Sequence, residues 1–243
     1  MSDAQNNGTP EPRRSRPPLA LISTRVTEEA SYVEPRSALA HNYVHWFEMG
    51  GAGEDDGNAA SRGWTVIPVP ASTGTAESYL DLPGVELVVL TGGNNVDPQL
   101  YHGPSGVNQV YPERDRTEFA LIAGALERGI PVWGVCRGLH TINVYFGGRL
   151  TQEVEGHVAT EHPLTSEHAL LSDKTCNSYH NQAVRGSDLS RHLRVLAHSH
   201  DGLIEALYHP TEPVAAVQWH PERQDREYDR RLLASFLAGE LQR

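Results

Sequence analysis

Short apolar runs alternate along the chain with stretches whose apolar positions recur every three or four residues. Leu19 to Ser23 (LALIS) reads as a buried strand, and Ser37 to Met49 as a helix, with Leu39, Tyr43, Trp46 and Phe47 at helical spacing. Trp64 to Val69 and Val85 to Leu90 are further strands, the second strongly β-branched and ending at Thr91-Gly92-Gly93. A helix is predicted from about Arg116 to Arg128, with Asp115 and Glu118 as a capping-box variant and Gly129 as its C-cap. Ile130 to Val135 is a fourth strand, and Leu139 to Phe146 the helix after it. This alternation predicts an α/β architecture, a mostly parallel sheet covered by helices on both faces. The second half changes character: His168 to Asn177, His192 to His198, Ile204 to Tyr208 and Val214 to Trp219 are short strands with brief turns. They predict an antiparallel extension, closed by a helix from about Arg226 to Leu241.

At 243 residues, with 38% hydrophobic and 21% charged residues, the chain has the material for one sizeable core. Residues 1–17, polar and rich in Pro, read as a disordered tail, leaving a single domain over 18–243. A net charge of −11 argues against nucleic acid and anionic membranes as partners, since phosphate contacts require a basic patch. No apolar stretch approaches a membrane span or a signal-peptide core, so the expected location is the cytoplasm. Two cysteines, Cys136 and Cys176, exclude a disulfide scaffold.

Gly134-Val135-Cys136-Arg137-Gly138 lies where a buried strand stops and a helix begins, the context of a nucleophile elbow. Small flanking residues permit a strained turn, and the helix N-terminus favours the thiolate. A buried cysteine acting as a small hydrophobe is the bland alternative. His220-Pro221-Glu222 offers a base and a group to orient it. On an extended segment, residues two apart face the same side, which would set Glu222 beside the imidazole. The backbone N–H of Arg137 and the Thr91–Asn95 loop, at the carboxyl end of the third strand, are candidate oxyanion donors.

The elbow GVCRG, the upstream LTGGNNVDP, the downstream NSYHNQAV and the terminal VQWHPE occur in the same order in class I glutamine amidotransferase-like proteins. The chain resembles the γ-glutamyl-γ-aminobutyrate hydrolase branch from about Leu19 to Leu237. The resemblance implies a flavodoxin-like fold and a Cys136–His220–Glu222 triad that cleaves a small γ-glutamyl amide through a thioester. It also implies an oxyanion hole at Gly93 and Arg137, with Gly92, Asn94, His140, Asn177, Ser178, Tyr179 and His180 around the glutamyl group. Two departures stand out. His140 occupies the position where the family usually has Gln, and the stretch between Gly148 and Asn177 is short. That length, with GHVATEH, looks like a compact subgroup that includes hydrolases of γ-glutamyl nucleotide amidates.

Two other functions fit the same fold: a glutaminase subunit passing ammonia to a synthetase or transferase partner, and a non-catalytic binding protein. Assembly is open, a homodimer included. Thirteen histidines invite a metal reading, with His157, His162 and His168 the densest cluster, but their spacing in an irregular segment favours a surface or substrate-lining role. No metal and no cofactor is expected. Gly50 to Gly63 lacks the lysine of a P-loop. Cys176 reads as a spectator, and Arg36, following the first strand, as a residue shaping the substrate entrance.

Overall fold

The computed structural model describes residues 17–29, 31–32, 34–50, 63–71 and 74–241. The expected tail, except Pro17, and most of the Gly50–Gly63 loop lie outside these residues. The elements in chain order are β1 (Leu19–Ser23), β2 (Arg25–Glu28), β3 (Pro35–Ala38), α1 (His41–Glu48), β4 (Thr65–Val69), α2 (Ala76–Tyr79) and β5 (Val85–Leu90). They continue as α3 (Pro112–Glu127), β6 (Val132–Val135), α4 (Arg137–Tyr145), β7 (Val158–Pro163) and β8 (Thr175–Tyr179). The chain then forms β9 (Arg194–His198), β10 (Ile204–Tyr208), β11 (Val214–Val217) and α5 (Glu227–Leu237).

One sheet carries the fold, in the order β4-β1-β5-β6-β11-β10-β9. Its first five strands are parallel, and β10 and β9 add to β11 in antiparallel fashion. The mostly parallel α/β sheet with an antiparallel C-terminal extension is therefore as the sequence pattern predicts. The uninterrupted apolar runs have a simple cause: the sheet is covered on both sides, so successive side chains of one strand enter different cores. On β5, Leu87 and Val89 join Trp133, Val217 and Phe236, whereas Val88 and Leu90 join Leu121, Ile122 and Leu139 on the opposite face.

Several boundaries differ from the sequence pattern. Ser37 and Ala38, expected in a helix, pair instead with Val26 and Arg25 in the β2–β3 hairpin, and α1 starts at His41. Asp115 and Glu118 do not cap a helix. The helix begins at Pro112, and both carboxylates lie buried within it against arginines. Of His168–Asn177 only the end is strand, because β8 pairs across to β7, a strand whose mostly exposed residues have no apolar alternation to betray it. The last helix ends at Leu237.

Candidate active site

Cys136 sits between β6 and α4 with φ 54° and ψ −106°, a conformation that costs a non-glycine residue about 1–3 kcal/mol. Its two flanking glycines are what make the turn fit. A Cβ on Gly138 would lie 2.3 Å from the Leu90 carbonyl oxygen. One on Gly134 would meet Ala216, Gly138 and Ile142, each at 2.8 Å. The elbow is thus wedged against β5 and β11, and the thiol rises at the carboxyl ends of the parallel strands.

His220 follows β11. Its Nδ1 lies 2.6 Å from Glu222 Oε1, and both side chains are buried. The pairing foreseen for these residues exists, but through a different backbone: Pro221–Arg223 is a 3-10 turn, which folds Glu222 back beneath the ring. Asn177 fixes the histidine from outside. Its Oδ1 accepts from the His220 N–H and its Nδ2 donates to the His220 carbonyl, each at 2.9 Å. Gly92 closes the site from the other side, since a Cβ there would lie 2.8 Å from His220 Cε1.

Burial by itself would raise the Cys136 thiol, but the charge of His220, reinforced by His180, outweighs it and holds the thiol below its usual range. Burial likewise works against the His220 imidazolium, yet the Cys136 thiolate and Glu222 lift it to about 10. The two groups are tuned as a thiolate–imidazolium pair. Cys176 is the opposite case, fully buried and pushed up by burial and by Glu205. Near neutral pH, iodoacetamide should therefore alkylate Cys136 and leave Cys176 unmodified in the folded protein, as read by peptide mass spectrometry. The Cys136 rate should stay level as pH falls through the range where an ordinary thiol loses tenfold per unit. Modification of Cys176 first, or a steep fall for Cys136, would contradict this assignment.

A buried ionic network joins the elbow to the Thr91–Asn94 loop. Glu118, on α3, binds Arg114 at 2.9 Å through Oε1 and Arg137 through Oε2, while Asp115 also binds Arg137. Arg114 Nη2 donates to the carbonyls of Thr91 (2.7 Å) and Gly92 (3.1 Å), and its Nη1 to that of Gly93. Pulling these carbonyls toward α3 turns the loop so that the Gly93 N–H, like that of Arg137, has no protein acceptor among the described residues. The Gly92 N–H is instead taken by the Tyr43 hydroxyl at 3.1 Å. Gly93 needs its glycine twice over: φ is +79°, and a Cβ would lie 3.0 Å from the Arg25 guanidinium carbon.

Cys136 stands at the junction of two cavities. The larger, about 510 Å³, is lined by Arg25, Tyr43, Gly92, His220 and Arg223 among others. The smaller, about 310 Å³, takes in Asn94, Arg137, His140, His180 and Gln182, and both include Arg25, Gly93, Cys136 and Tyr179. Gly92, Gly93, Asn94, His140, Tyr179 and His180 thus meet around the thiol. Asn177 and Ser178 do not line either cavity. Asn177 grips His220, and the Ser178 hydroxyl donates to the His157 carbonyl at 2.8 Å. The Asn94 side chain is tied to both backbone groups of Val26. Arg36, foreseen at the entrance, forms exposed ion pairs with Glu29 and Glu34 instead.

Sequence reasoning missed five residues here. Gln218 links His140 Nε2 (2.9 Å) to the Cys136 sulfur (3.8 Å), and burial holds His140 neutral, down at about 3. Gln218 lies inside the VQWHPE motif, which was its only signal. Arg25 belongs to a hairpin with no apolar pattern, and Tyr43 and Arg114 sit on helices whose periodicity reports packing alone. Arg223 packs its guanidinium 4.1 Å from the centroid of the Tyr179 ring.

A doubly covered parallel sheet with a strained cysteine elbow over its carboxyl edge defines a class I glutamine amidotransferase-like protein. The Peptidase C26 family profile matches residues 58–222, and the chain belongs to that family. It is 37% identical over 200 residues to the glutamine amidotransferase-like protein YvdE of Lactococcus lactis, covering 73% of this chain and 83% of the relative. The gamma-glutamyl-gamma-aminobutyrate hydrolase of Escherichia coli O157:H7 is 37% identical over 174 residues, 60% of this chain and 68% of that one. The crystal structure of a glutamine amidotransferase from Thermotoga maritima shares the fold, with a TM-score of 0.54 at 17% identity over 89% of this chain and 82% of the other. No helix among the described residues is long and apolar enough to cross a membrane.

Proposed function

We propose that the protein hydrolyses the γ-glutamyl amide bond of a small molecule, with Cys136 as nucleophile, His220 as acid and base, and Glu222 orienting the imidazole. The observation that carries this reading is the position of the Cys136 sulfur beside the His220–Glu222 pair, at the junction of two cavities. Two chambers suit a substrate whose scissile bond lies in its middle. The glutamyl half occupies the smaller cavity beside His140 and His180, and the amine half the larger one. There Arg25 and Arg223 supply two cations inside a chain of net charge −11, which favours a leaving amine that carries an acidic group.

The Cys136 thiolate attacks the γ-carbonyl, and the developing oxyanion is met by the N–H groups of Gly93 and Arg137. As the C–N bond breaks, His220 gives its proton to the departing amine. The neutral imidazole then takes a proton from water, whose oxygen attacks the thioester. Collapse expels the Cys136 thiolate, releases glutamate and leaves the imidazolium restored. Family relatives named as γ-glutamyl-γ-aminobutyrate hydrolases support the substrate class.

The purified chain, tested alone on glutamine and on a panel of γ-glutamyl amides, should release glutamate from amides of acidic amines in preference to glutamine or neutral amides. Turnover of glutamine alone, and only with an added synthetase or transferase partner, would overturn the reading in favour of a glutaminase subunit.

A further inference from the structure

We propose a second site, a buried clamp for one divalent transition-metal ion of the zinc class, with Glu205, His162 and Cys176 as ligands. The spacing of His157, His162 and His168 in an irregular segment argued against a metal in the sequence, but His168 lies elsewhere, its Nδ1 accepting from the Leu170 N–H. The relevant pattern is a pair of short spacings, His157-x4-His162 and Cys176-x3-His180. The β7–β8 hairpin brings them together, with His162 and Cys176 directly opposite in its register, and β10 of the main sheet presents Glu205 to them.

The geometry is that of ligands around an ion. Glu205 Oε1 lies 3.5 Å from His162 Nε2 and 3.7 Å from His180 Nε2. Cys176 Sγ lies 3.8 Å from Glu205 Oε2 and 3.7–3.8 Å from the His162 ring nitrogens. The nitrogen–oxygen separations exceed the roughly 2.7–3.2 Å of a good N–H···O hydrogen bond. They approach the edges of a zinc tetrahedron, about 3.4–3.6 Å for bonds of about 2.0–2.3 Å. All three residues are buried, and Glu205 Oε1 lacks a hydrogen-bond partner. A bare carboxylate oxygen away from water is costly, and a cation beside it removes the cost.

The outer contacts fit as well. His180 Nδ1 is 2.9 Å from the Gln182 carbonyl oxygen, and its Nε2 faces Glu205 Oε1 at 3.7 Å. His157 is held from both sides, Nε2 near Asp201 (3.2 Å) and Nδ1 near Ser178 (3.3 Å), and its ring packs 5.0 Å and 4.9 Å from those of His162 and His180. It therefore buttresses the ligands. A mixed nitrogen, sulfur and carboxylate set selects zinc-like ions over magnesium or calcium. Since β7–β8 forms its own two-stranded sheet, an ion here would tie it to β10 and fix β8, whose Asn177 holds His220.

The full chain, stripped with chelator and then incubated with zinc, should retain one equivalent after desalting and unfold at a higher temperature than the stripped form. Cobalt in its place should give tetrahedral d–d bands and a sulfur-to-metal charge-transfer band. Glu205→Gln should lose zinc retention, and Cys176→Ser the charge-transfer band, with far-ultraviolet circular dichroism confirming that each variant folds. His168→Ala, outside the cluster, should bind like the parent chain. Failure of the parent chain to retain zinc, equal retention by folded Glu205→Gln, or a cobalt complex without the sulfur band would each overturn the assignment. None of these readouts depends on hydrolysis.

Discussion

Glu222→Gln is expected to lower turnover of the preferred γ-glutamyl amide on the order of 10^4-fold while leaving the chain folded. The magnitude follows from the general cost of removing the carboxylate that orients a catalytic histidine. Glu222 Oε1 is 2.6 Å from His220 Nδ1, so the carboxylate both fixes the proton on that nitrogen and balances the imidazolium charge. Glutamine keeps the shape and can present its N–H to Nδ1, which selects the wrong tautomer and turns the lone pair away from Cys136.

The pH profile separates this effect from a merely structural one. In the parent chain the ion pair is intact from below the usual thiol range up to about 10, where His220 loses its proton and with it the acid that releases the amine. Removing Glu222 removes one of the charges that raise His220, so the alkaline limb of the rate profile must move to lower pH. Initial rates across pH for both proteins check this. A Glu222→Gln variant that keeps turnover within tenfold, or whose alkaline limb does not move, would remove Glu222 from the mechanism.

The second large effect is on stability. Glu118→Gln should destabilise the fold by about 3–5 kcal/mol, the usual cost of breaking a buried ion pair from one side. Glu118 is fully buried and shared by two buried guanidiniums, and it also accepts from Ser23 (2.8 Å) and Thr141 (3.0 Å). Glutamine leaves Arg114 and Arg137 with only Asp115 as nearby counter-charge. Urea or guanidinium unfolding measures the loss.

The sign of the pH dependence follows from the same contacts. Burial would raise the Glu118 carboxyl, but Arg114 and Arg137 outweigh it and hold it below its usual range. Its stabilisation is therefore complete above the value the carboxyl has in the unfolded chain, and is lost as pH falls through the lower folded value. Glu118→Gln should flatten that acid-side slope. A loss under 1 kcal/mol, or an unchanged slope, would show that the network contributes little. The variant should also be slower in catalysis than its stability implies, because Arg114 holds the Gly93 loop and Arg137 the elbow.

The residues of the candidate site differ in how far they were legible. Cys136 was, because an elbow leaves a local signature: two glycines, a buried strand before and a helix after. His220 and Glu222 were legible as a pair, although a 3-10 turn and not an extended segment joins them. Asn177 was found by resemblance and placed on substrate, whereas it grips the backbone of His220 from a hairpin 43 residues away. Asp115 and Glu118 were read as a cap because their spacing is that of a cap, and only the arginines facing them show otherwise. Ionic networks leave no periodicity, since their partners are chosen by the packing of distant elements.

What the sequence determined by itself, then, was what short-range physics encodes. Apolar runs too continuous for a one-sided sheet defined the parallel core, and glycine spacing defined the elbow. The tertiary structure alone decided which side chains meet across it. Arg114 reaches the Gly93 loop, Arg25 enters both cavities, and Glu205 comes within reach of His162, Cys176 and His180 from a hairpin that shares no strand pairing with it. Those meetings depend on side chains brought together from distant segments, and a linear pattern carries no term for them.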